Sequence, residues 1–334
     1  MSKILVTGGL GFVGSHLVDQ LLREQASVVI VDSLISNVVE PSAFQDRCEV
    51  ICAPIESSVD AILARGDLAF DEIYHLASVV GPAGVLQHAG EIANSVIRTN
   101  EATIKLALAH KAKLLVASTS EVYGQPGLLS ESQDCIIPSK YTVRLEYAAA
   151  KLTSEIAALN KARVTDLWVN VVRPFNISGP RQLPDGGFVL PRFVIAALKG
   201  APLTVFGTGK QTRAFTDVRD IVSGLLAVMR SQLRGEVLNI GNPENEVSME
   251  SLAQRVVAIA GSKSAISLVD PKRLFGPLYE EGIERAPNVS RAFEKLDWRP
   301  QYKLDQTIQD TIDYFRSNPE LTEASFRALE GVLA

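Results

Sequence analysis

The chain has 334 residues, of which 46% are hydrophobic and 21% charged, the balance of a folded globular protein rather than a disordered one. Its net charge of −5 argues against nucleic acid as the main partner, because a phosphate backbone binds to a basic surface. The first residues, MSKILVTGG, lack the pattern of a signal peptide, so we expect no secretory leader, and the sequence shows no membrane-length apolar run, no cysteine framework and no metal-ligand cluster. We therefore expect a cytoplasmic protein in which Cys48, Cys52 and Cys135 are reduced.

Apolar, strand-like segments alternate with helix-like segments through the first half of the chain. Helices are predicted at residues 15–25, 92–110 and 146–159, and strands at residues 4–7, 28–31, 50–52, 72–76, 114–118 and 168–173. Fully apolar strands separated by helices indicate a parallel sheet that is covered on both faces. The expected fold is therefore α/β, with a Rossmann-type, doubly wound parallel sheet.

The pattern changes after residue 174, where prolines and glycines crowd the chain. Beyond this loop we predict helices at 192–198 and 217–230, and strands at 203–206 and 237–240, the last of which could return to the main sheet. The remainder is predicted to be helical with loops. Residues 271–286 form the least regular stretch, and one short helix is expected beyond Pro319.

A glycine-rich turn, TGGLGFVG (7–14), joins the first strand to the first helix. Glycines at 8, 11 and 14 suit a tight turn, close approach of a pyrophosphate and packing of helix on strand. The flanking elements favour dinucleotide binding over a plain turn. Asp32 ends the second strand, where a carboxylate accepts hydrogen bonds from the adenosine ribose and repels a 2′-phosphate, so NAD is favoured over NADP. The alternative for Asp32 is a turn or helix cap.

Tyr147 and Lys151 are four residues apart on a predicted helix, so both side chains lie on one face. A lysine ammonium near the phenol is expected to lower the Tyr147 pKa from about 10 and make the residue a general base. The segment STSEVYG (118–124) follows the fifth strand and should present its hydroxyls at the carboxyl edge of the sheet. Alone, these patterns would be a surface pair and a polar turn, but behind the glycine-rich turn they favour a catalytic site.

Several segments together resemble the extended short-chain dehydrogenase/reductase family, and within it the nucleotide-sugar epimerases, dehydratases and decarboxylases. They are TGGLGFVGSHL, YHLAS (74–78), STSEVYG, YAAAK, RPFNISGPR (173–181), TVFGTGKQTRAFTDVRD (204–220) and NIGNPEN (239–245). STSEVYG, QTRAF, GNPEN and Arg144, three residues before Tyr147, resemble UDP-glucuronate decarboxylases most closely. Pro54, residues 79–90 and Val143 depart from that pattern, so the identity of the sugar stays open.

The resemblance implies that NAD takes a hydride from C4 of the sugar while Tyr147 takes the hydroxyl proton, with help from Thr119 and Lys151. A C4 ketone makes a C6 carboxylate a β-keto acid, whose decarboxylation would involve Ser120, Glu121 and Arg285 before the hydride returns. The implied NAD ligands are Gly8, Gly11, Phe12, Val13, Gly14, Asp32, Leu76, Ala77, Ser78, Asn100, Tyr147 and Lys151. The implied substrate ligands are Thr119, Asn176, Arg192, Arg213 and Arg285, of which Arg213 and Arg285 have surface charge as their alternative.

Other functions stay open beside a UDP-uronate decarboxylase. A 4-epimerase acting on a uronate would share much of the pocket, and a 4,6-dehydratase would carry Asp-Glu where this chain has Ser120-Glu121. A non-catalytic NAD-binding protein is the least favoured, since it has no need of Thr119, Tyr147 and Lys151 together.

The resemblance also implies how the chain is organised. Residues 1–174, with a returning segment near 214–241, would form the NAD-binding Rossmann domain. Residues 175–213 and 242–334 would form a smaller α/β lobe that binds the nucleotide sugar, for which a UDP-sugar is favoured. Family members pair the helices that correspond to 92–110 and 146–159 into a four-helix interface, so we expect a homodimer.

Overall fold

A computed structural model of the protein describes residues 2–139, 141–272 and 284–333. The strands, in chain order, are β1 (Lys3–Thr7), β2 (Ser27–Asp32), β3 (Glu49–Cys52), β4 (Glu72–His75), β5 (Lys113–Ala117), β6 (Gly127–Leu129), β7 (Trp168–Pro174), β8 (Ile177–Ser178), β9 (Leu203–Phe206), β10 (Thr212–Ala214), β11 (Thr216–Asp217), β12 (Val237–Ile240), β13 (Glu246–Ser248), β14 (Ile266–Val269) and β15 (Arg285–Pro287). The helices are α1 (Phe12–Arg23), α2 (Ser42–Gln45), α3 (Ile55–Leu63), α4 (Pro82–Gln87), α5 (Ile92–His110), α6 (Val143–Val164), α7 (Val189–Leu198), α8 (Val218–Arg230), α9 (Met249–Ala260), α10 (Ser290–Leu296), α11 (Leu304–Ser317) and α12 (Pro319–Leu333). Short 3₁₀ turns span Ser120–Tyr123 and Pro243–Asn245.

Seven parallel strands form the main sheet in the order β12-β7-β5-β4-β1-β2-β3. The order reverses beside β1, because β2 lies on one side of it and β4 on the other. Ligands bind such sheets in the crevice at the carboxyl ends of the strands where the order reverses. The Rossmann-type α/β fold that the sequence predicts is confirmed, and β12 returns to the sheet beside β7.

Both faces of the main sheet are covered. In β1, Ile4 and Val6 lie in a core with residues of α1 and α8, whereas Leu5 lies in a second core with residues of α3 and α5. Successive strand residues point to opposite faces, so a strand buried on both faces carries apolar residues without alternation. A third core, built by β9, α7, α9 and α11, lies outside the main sheet.

Several element ends differ from the sequence prediction. Helix α1 begins three residues earlier than expected because Gly11 is its N-cap, and it ends at Arg23, before the positive φ of Gln25. Helix α6 is longer at both ends, and the Thr142 hydroxyl caps it by accepting a hydrogen bond from the Leu145 amide at 3.2 Å. The short strands β6, β8, β10, β11, β13, β14 and β15 were not predicted, because so few residues show no periodicity.

The C-terminal part follows the prediction only in outline. Helix α12 occupies the tail as a helix of 15 residues, with Leu321, Phe326 and Leu329 packed against the third core. Of the stretch predicted to be irregular, residues 273–283 lie outside the described residues, and Arg285–Pro287 forms β15 beside β6. In the described part of the chain, no helix combines the length and apolar character needed to cross a bilayer.

Candidate active site

The glycine-rich turn after β1 forms a tight cradle at the start of α1. Gly8 has a φ of +72°, and a Cβ there would lie 2.8 Å from the Ala77 nitrogen. A Cβ on Gly14 would lie 2.0 Å from the Gly8 carbonyl oxygen, whereas one on Gly11 would meet only that oxygen, at 3.3 Å. Gly8 and Gly14 are therefore required by the backbone itself, while a side chain at Gly11 would meet a less severe contact.

The amino end of α1 fits the diphosphate of a dinucleotide. Its N-cap, Gly11, has no side chain to satisfy the first amides, which belong to Phe12, Val13 and Gly14. Amides in the first turn of a helix have no intrahelical partner, and the helix dipole favours an anion beside them. The cradle thus offers several N–H donors and space for a phosphate to approach.

Asp32, at the end of β2, is nearly buried and joins the cradle to the second strand. Its Oδ2 accepts a hydrogen bond from the Leu10 amide at 2.9 Å, and its Oδ1 accepts one from the Leu34 amide at 2.9 Å. The cap proposed as the alternative role is therefore present. A carboxylate has further lone pairs on both oxygens, so the cap does not prevent it from accepting ribose hydroxyls.

The segment after β4 lies directly against this cradle. The Thr7 Oγ1 accepts a hydrogen bond from the Ala77 amide at 3.3 Å and is bonded to the His75 Nδ1 at 2.9 Å, while the Leu76 amide donates to the Thr7 carbonyl. Burial, aided by the charge of Lys151, lowers the pKa of His75 to about 3, so this ring is neutral. The contacts fix the backbone of residues 76–78 beside the glycine turn.

Tyr147 and Lys151 lie on one face of α6, but the sequence prediction about their electrostatics is wrong. Burial raises the pKa of Tyr147, and the negative charge of Glu121 raises it further. Hydrogen bonds with the hydroxyls of Thr119 and Ser78 act in the opposite direction and lower this pKa. Lys151 donates its hydrogen bond to the Ala117 carbonyl at 2.9 Å rather than to the phenol. Loss of hydration therefore outweighs the stabilisation of a phenolate that the sequence spacing suggested.

Lys151 is almost fully buried, and this changes its own titration. Burial lowers the pKa of Lys151 to about 8, with the charge of Glu155 acting in the opposite direction. Nearby, the Asn100 Nδ2 donates to the Ser154 carbonyl at 3.3 Å, which ties α5 to α6. The Asn100 Oδ1 is buried without a hydrogen-bond partner among the described residues, so an acceptor is available beside α6.

Glu121 lies in the 3₁₀ turn after β5 and is held between two arginines. Arg144, from the first turn of α6, donates to Oε1 at 2.6 Å. Arg285, from β15, donates to both carboxylate oxygens, with 3.1 Å between its Nη1 and Oε2. Although burial acts to raise it, the two arginines hold the pKa of Glu121 at about 2, so the group is an ionised carboxylate.

Two residues of this cluster show where sequence reasoning succeeded and where it stopped. Arg285 reaches Glu121 only because the parallel pairing of β15 with β6 brings distant parts of the chain together. Arg144 was recognised as part of the resemblance but was given no role. Its spacing, one helical turn before Tyr147, was the available signal.

A second charged cluster, missed from the sequence, supports the end of β5. The buried Glu155 accepts hydrogen bonds from Arg173 Nε at 3.0 and 3.2 Å, from Arg173 Nη2 at 2.6 Å and from the Ser118 hydroxyl. The Arg173 guanidinium also lies 4.7 Å from the centre of the Tyr123 ring. Glu155 lies four residues after Lys151, so the helical spacing could have predicted that it lies on the same face of α6.

The remaining predicted substrate ligands lie after β7 in the chain. Asn176 has a φ of +31°, and its Nδ2 donates to the Ala214 carbonyl at 3.0 Å. Arg213 lies on β10, which packs beside β15, the strand that carries Arg285. Arg192 lies on α7, where Nη2 donates to the Thr204 carbonyl at 3.0 Å and the guanidinium stacks 4.1 Å from the centre of the Phe206 ring. Ser120 is buried in the turn that carries Glu121.

Comparison with known proteins identifies the group to which this arrangement belongs. Residues 4–241 match the profile of the NAD dependent epimerase/dehydratase family. The chain is 34% identical over 323 residues to the UDP-N-acetyl-alpha-D-glucosaminuronate decarboxylase of Bacillus cytotoxicus, covering 94% of this chain and 98% of the relative. It is also 34% identical over 326 residues to UDP-glucuronic acid decarboxylase 1 of Xenopus tropicalis, covering 95% of this chain and 73% of the relative.

Solved structures show the same architecture. The UDP-glucuronic acid 4-epimerase of Bacillus cereus, in complex with UDP-glucuronic acid and NAD, matches with a TM-score of 0.80 at 27% identity, over 95% of this chain and 99% of that one. The dTDP-glucose 4,6-dehydratase of Bacillus anthracis, in complex with NAD, matches with a TM-score of 0.82 at 25% identity, over 97% and 100%. The chain belongs to the NAD-dependent epimerase/dehydratase family and is an NAD-dependent enzyme of its nucleotide-sugar group.

Proposed function

We propose that the protein catalyses the NAD-dependent decarboxylation of a UDP-linked uronic acid. The observation that carries this proposal is the cluster of Glu121 with Arg144 and Arg285, whose charge also acts on the phenol of Tyr147. Two guanidinium groups face one carboxylate, so the cluster has a surplus positive charge beside the proton-transfer residue. A sugar carboxylate at C6 would neutralise that surplus.

In this proposal the cofactor is held by the cradle at α1, by Asp32 and by the segment 76–78, with Asn100 and Lys151 on the helix side. NAD, when bound there, supplies reversible hydride exchange with C4 of the sugar. The orphan amides of α1 suit its diphosphate, and the Asp32 carboxylate suits the adenosine ribose.

Tyr147 moves the proton of the C4 hydroxyl, and Thr119 orients that hydroxyl. With its raised pKa, Tyr147 is a neutral phenol in this structure, ready to return a proton to the C4 oxygen when the ketone is reduced. To take the proton in the oxidative direction, Tyr147 must first release its own proton to solvent, and nearby positive charge is needed to stabilise the phenolate. Arg144 acts to lower the pKa of Tyr147, and Lys151, with a pKa of about 8, is mostly protonated at neutral pH, so these two cations would supply that charge.

Once C4 is a ketone, the C6 carboxylate belongs to a β-keto acid. The bond from C5 to C6 breaks, CO2 leaves, and the electron pair moves onto the C4 oxygen as an enolate, which hydrogen bonds from Tyr147 and Thr119 stabilise. A proton from solvent is then added at C5 in place of the lost CO2. Glu121 is ionised, so we assign it the orientation of the two arginines rather than proton donation, and Ser120 lies in the same turn.

The second lobe, residues 175–213 and 242–334, is proposed to bind the nucleotide. Arg192 and Arg213 would bind the diphosphate through their guanidinium groups, and Asn176 would contribute beside them. The contact of β10, which carries Arg213, with β15, which carries Arg285, supports a nucleotide site beside the cluster around Glu121.

A uronate 4-epimerase is the second candidate, because the structure resembles the UDP-glucuronic acid 4-epimerase of Bacillus cereus and the arginine cluster would suit a uronate in either reaction. A 4,6-dehydratase is less favoured, since Ser120 stands where those enzymes carry an Asp. The purified protein should be incubated with UDP-glucuronate and with UDP-N-acetylglucosaminuronate. Release of CO2 with a sugar lacking C6 supports decarboxylation, and a C4 epimer that retains its carboxylate supports the second candidate.

Tyr147→Phe is the control for this experiment, because it removes the phenol oxygen and little else. We expect turnover to be lost while NAD remains bound. Unaltered turnover would remove Tyr147 from the mechanism, and no turnover of any nucleotide sugar by the unmodified protein would favour a non-catalytic NAD-binding role.

A further inference from the structure

The proposed function requires a residue that meets the C6 carboxylate, and the structure offers two arginines for this role. The resemblance to known decarboxylases implied Arg285. In the structure, however, the Arg285 side chain is only 5% exposed, and both of its Nη atoms donate to Glu121. Its forked donor face is therefore used in a buried ion pair, and releasing it would leave Glu121 without that partner.

Arg144 is placed differently. Its side chain is 31% exposed, and one Nη atom donates to Glu121 Oε1, which Arg285 also contacts. A guanidinium group has five N–H donors, so one such contact leaves most of them for a ligand. Arg144 also lies one turn before Tyr147, and its charge acts to lower the pKa of that phenol. It is thus the more accessible cation next to the catalytic residue.

We propose that Arg144 is the specificity-determining residue that binds the sugar carboxylate, while the buried pair of Glu121 and Arg285 anchors it. This inference rests on the proposed function, because it assigns a contact within the same site. A neutral hydroxymethyl sugar would leave the surplus charge of the cluster uncompensated, whereas a uronate supplies one carboxylate for a forked, charge-assisted contact.

The test compares two ligands that differ in the carboxylate. Binding of UDP-glucuronate and of UDP-xylose is measured by calorimetry on the NAD-loaded protein in the Tyr147→Phe background, where neither ligand is consumed. Arg144→Gln removes a charge-assisted hydrogen-bonding partner and is expected to weaken the binding of UDP-glucuronate about 10- to 100-fold. UDP-xylose, which has no carboxylate, should be weakened less than about 3-fold, as for a surface change.

Three further variants sharpen the result. Arg163→Gln, at the far end of α6 about 28 Å away, is a matched control that should change neither ligand. Arg144→Lys keeps the charge but loses the forked pair of donors. It should weaken the binding of UDP-glucuronate by less than Arg144→Gln does and leave the binding of UDP-xylose unchanged. Arg285→Gln leaves Glu121 short of a partner and should weaken both ligands.

The outcomes separate this inference from the proposed function. Equal weakening of both ligands by Arg144→Gln and Arg144→Lys would show that Arg144 only positions the site, and no weakening of either ligand would exclude the contact. Selective loss of UDP-glucuronate with Arg285→Gln but not with Arg144→Gln would assign the carboxylate to Arg285. If the Tyr147→Phe parent binds neither nucleotide sugar, the proposed function fails, and the inference fails with it.

Discussion

Replacing Glu155 by Gln removes the negative charge from a buried ion pair without changing the shape of the side chain. Glu155 and Arg173 are 2% and 7% exposed, and three nitrogen–oxygen contacts of 2.6 to 3.2 Å join them. Removing one partner of a buried pair costs about 3–5 kcal/mol, because the other charge is left without compensation. Since Gln keeps an acceptor oxygen, we expect a loss near the lower end, about 3 kcal/mol.

The free energy of unfolding should be measured in urea for the unmodified protein, for Glu155→Gln, for Arg173→Met and for the double variant. Because the double variant leaves no buried charge alone, it should be more stable than the sum of the two single losses predicts. Asp305→Asn is the matched control, since Asp305 and Arg255 form an exposed pair at 3.1 Å whose loss should cost at most about 1 kcal/mol.

The same substitution should change the pH profile, because Glu155 is the charge that acts to raise the Lys151 pKa. Without it the Lys151 pKa falls below about 8, so the alkaline limb of kcat/KM should move to lower pH. A stability loss in Glu155→Gln no larger than that in Asp305→Asn, or strict additivity in the cycle, would refute the description of Glu155 and Arg173 as a coupled buried pair.

Three other predictions follow from the cofactor cradle, the buried histidine and the helices α5 and α6. Gly11→Ala should weaken NAD binding at least tenfold, or about 1.4 kcal/mol, and lower the melting temperature less than Gly14→Ala does, because the added Cβ would lie 3.3 Å from a carbonyl oxygen at residue 11 but 2.0 Å from one at residue 14. Wild-type NAD affinity in Gly11→Ala would contradict this. The pKa of His75 is lowered from 6.5 to about 3, so the unfolded chain binds a proton that the folded one does not, and stability should decrease as pH falls from 6.5 toward 3. The free energy of unfolding of His75→Asn should depend less on pH between pH 6.5 and 4.5, which is above the range in which Glu121 contributes. A pH dependence equal to that of the unmodified protein would argue against a neutral buried ring. Sedimentation should show a homodimer of twice 36.1 kDa, and a monomer alone would exclude the proposed pairing through α5 and α6.

The sequence alone determined the features that depend on one element and its neighbours. The apolar strands predicted the parallel sheet because burial on both faces removes alternation, as Ile4, Leu5 and Val6 show by dividing between two cores. The glycine spacing predicted the turn because a Cβ at Gly8 or Gly14 would clash with nearby backbone atoms. The four-residue spacing placed Tyr147 and Lys151 on one face, since that spacing is a property of any α-helix.

Tertiary structure decided the electrostatics, because the free energy of a charge depends on every element around it. The sequence suggested a phenol made acidic by its lysine, but burial and Glu121 raise the Tyr147 pKa. The resemblance grouped Glu121 with Arg285 in one chemical step, but it predicted no ion pair between them, and folding brings these two residues together across 164 positions of the chain. Neither effect has a local signature, since hydration and charge pairing are set by residues that meet only when the chain is folded.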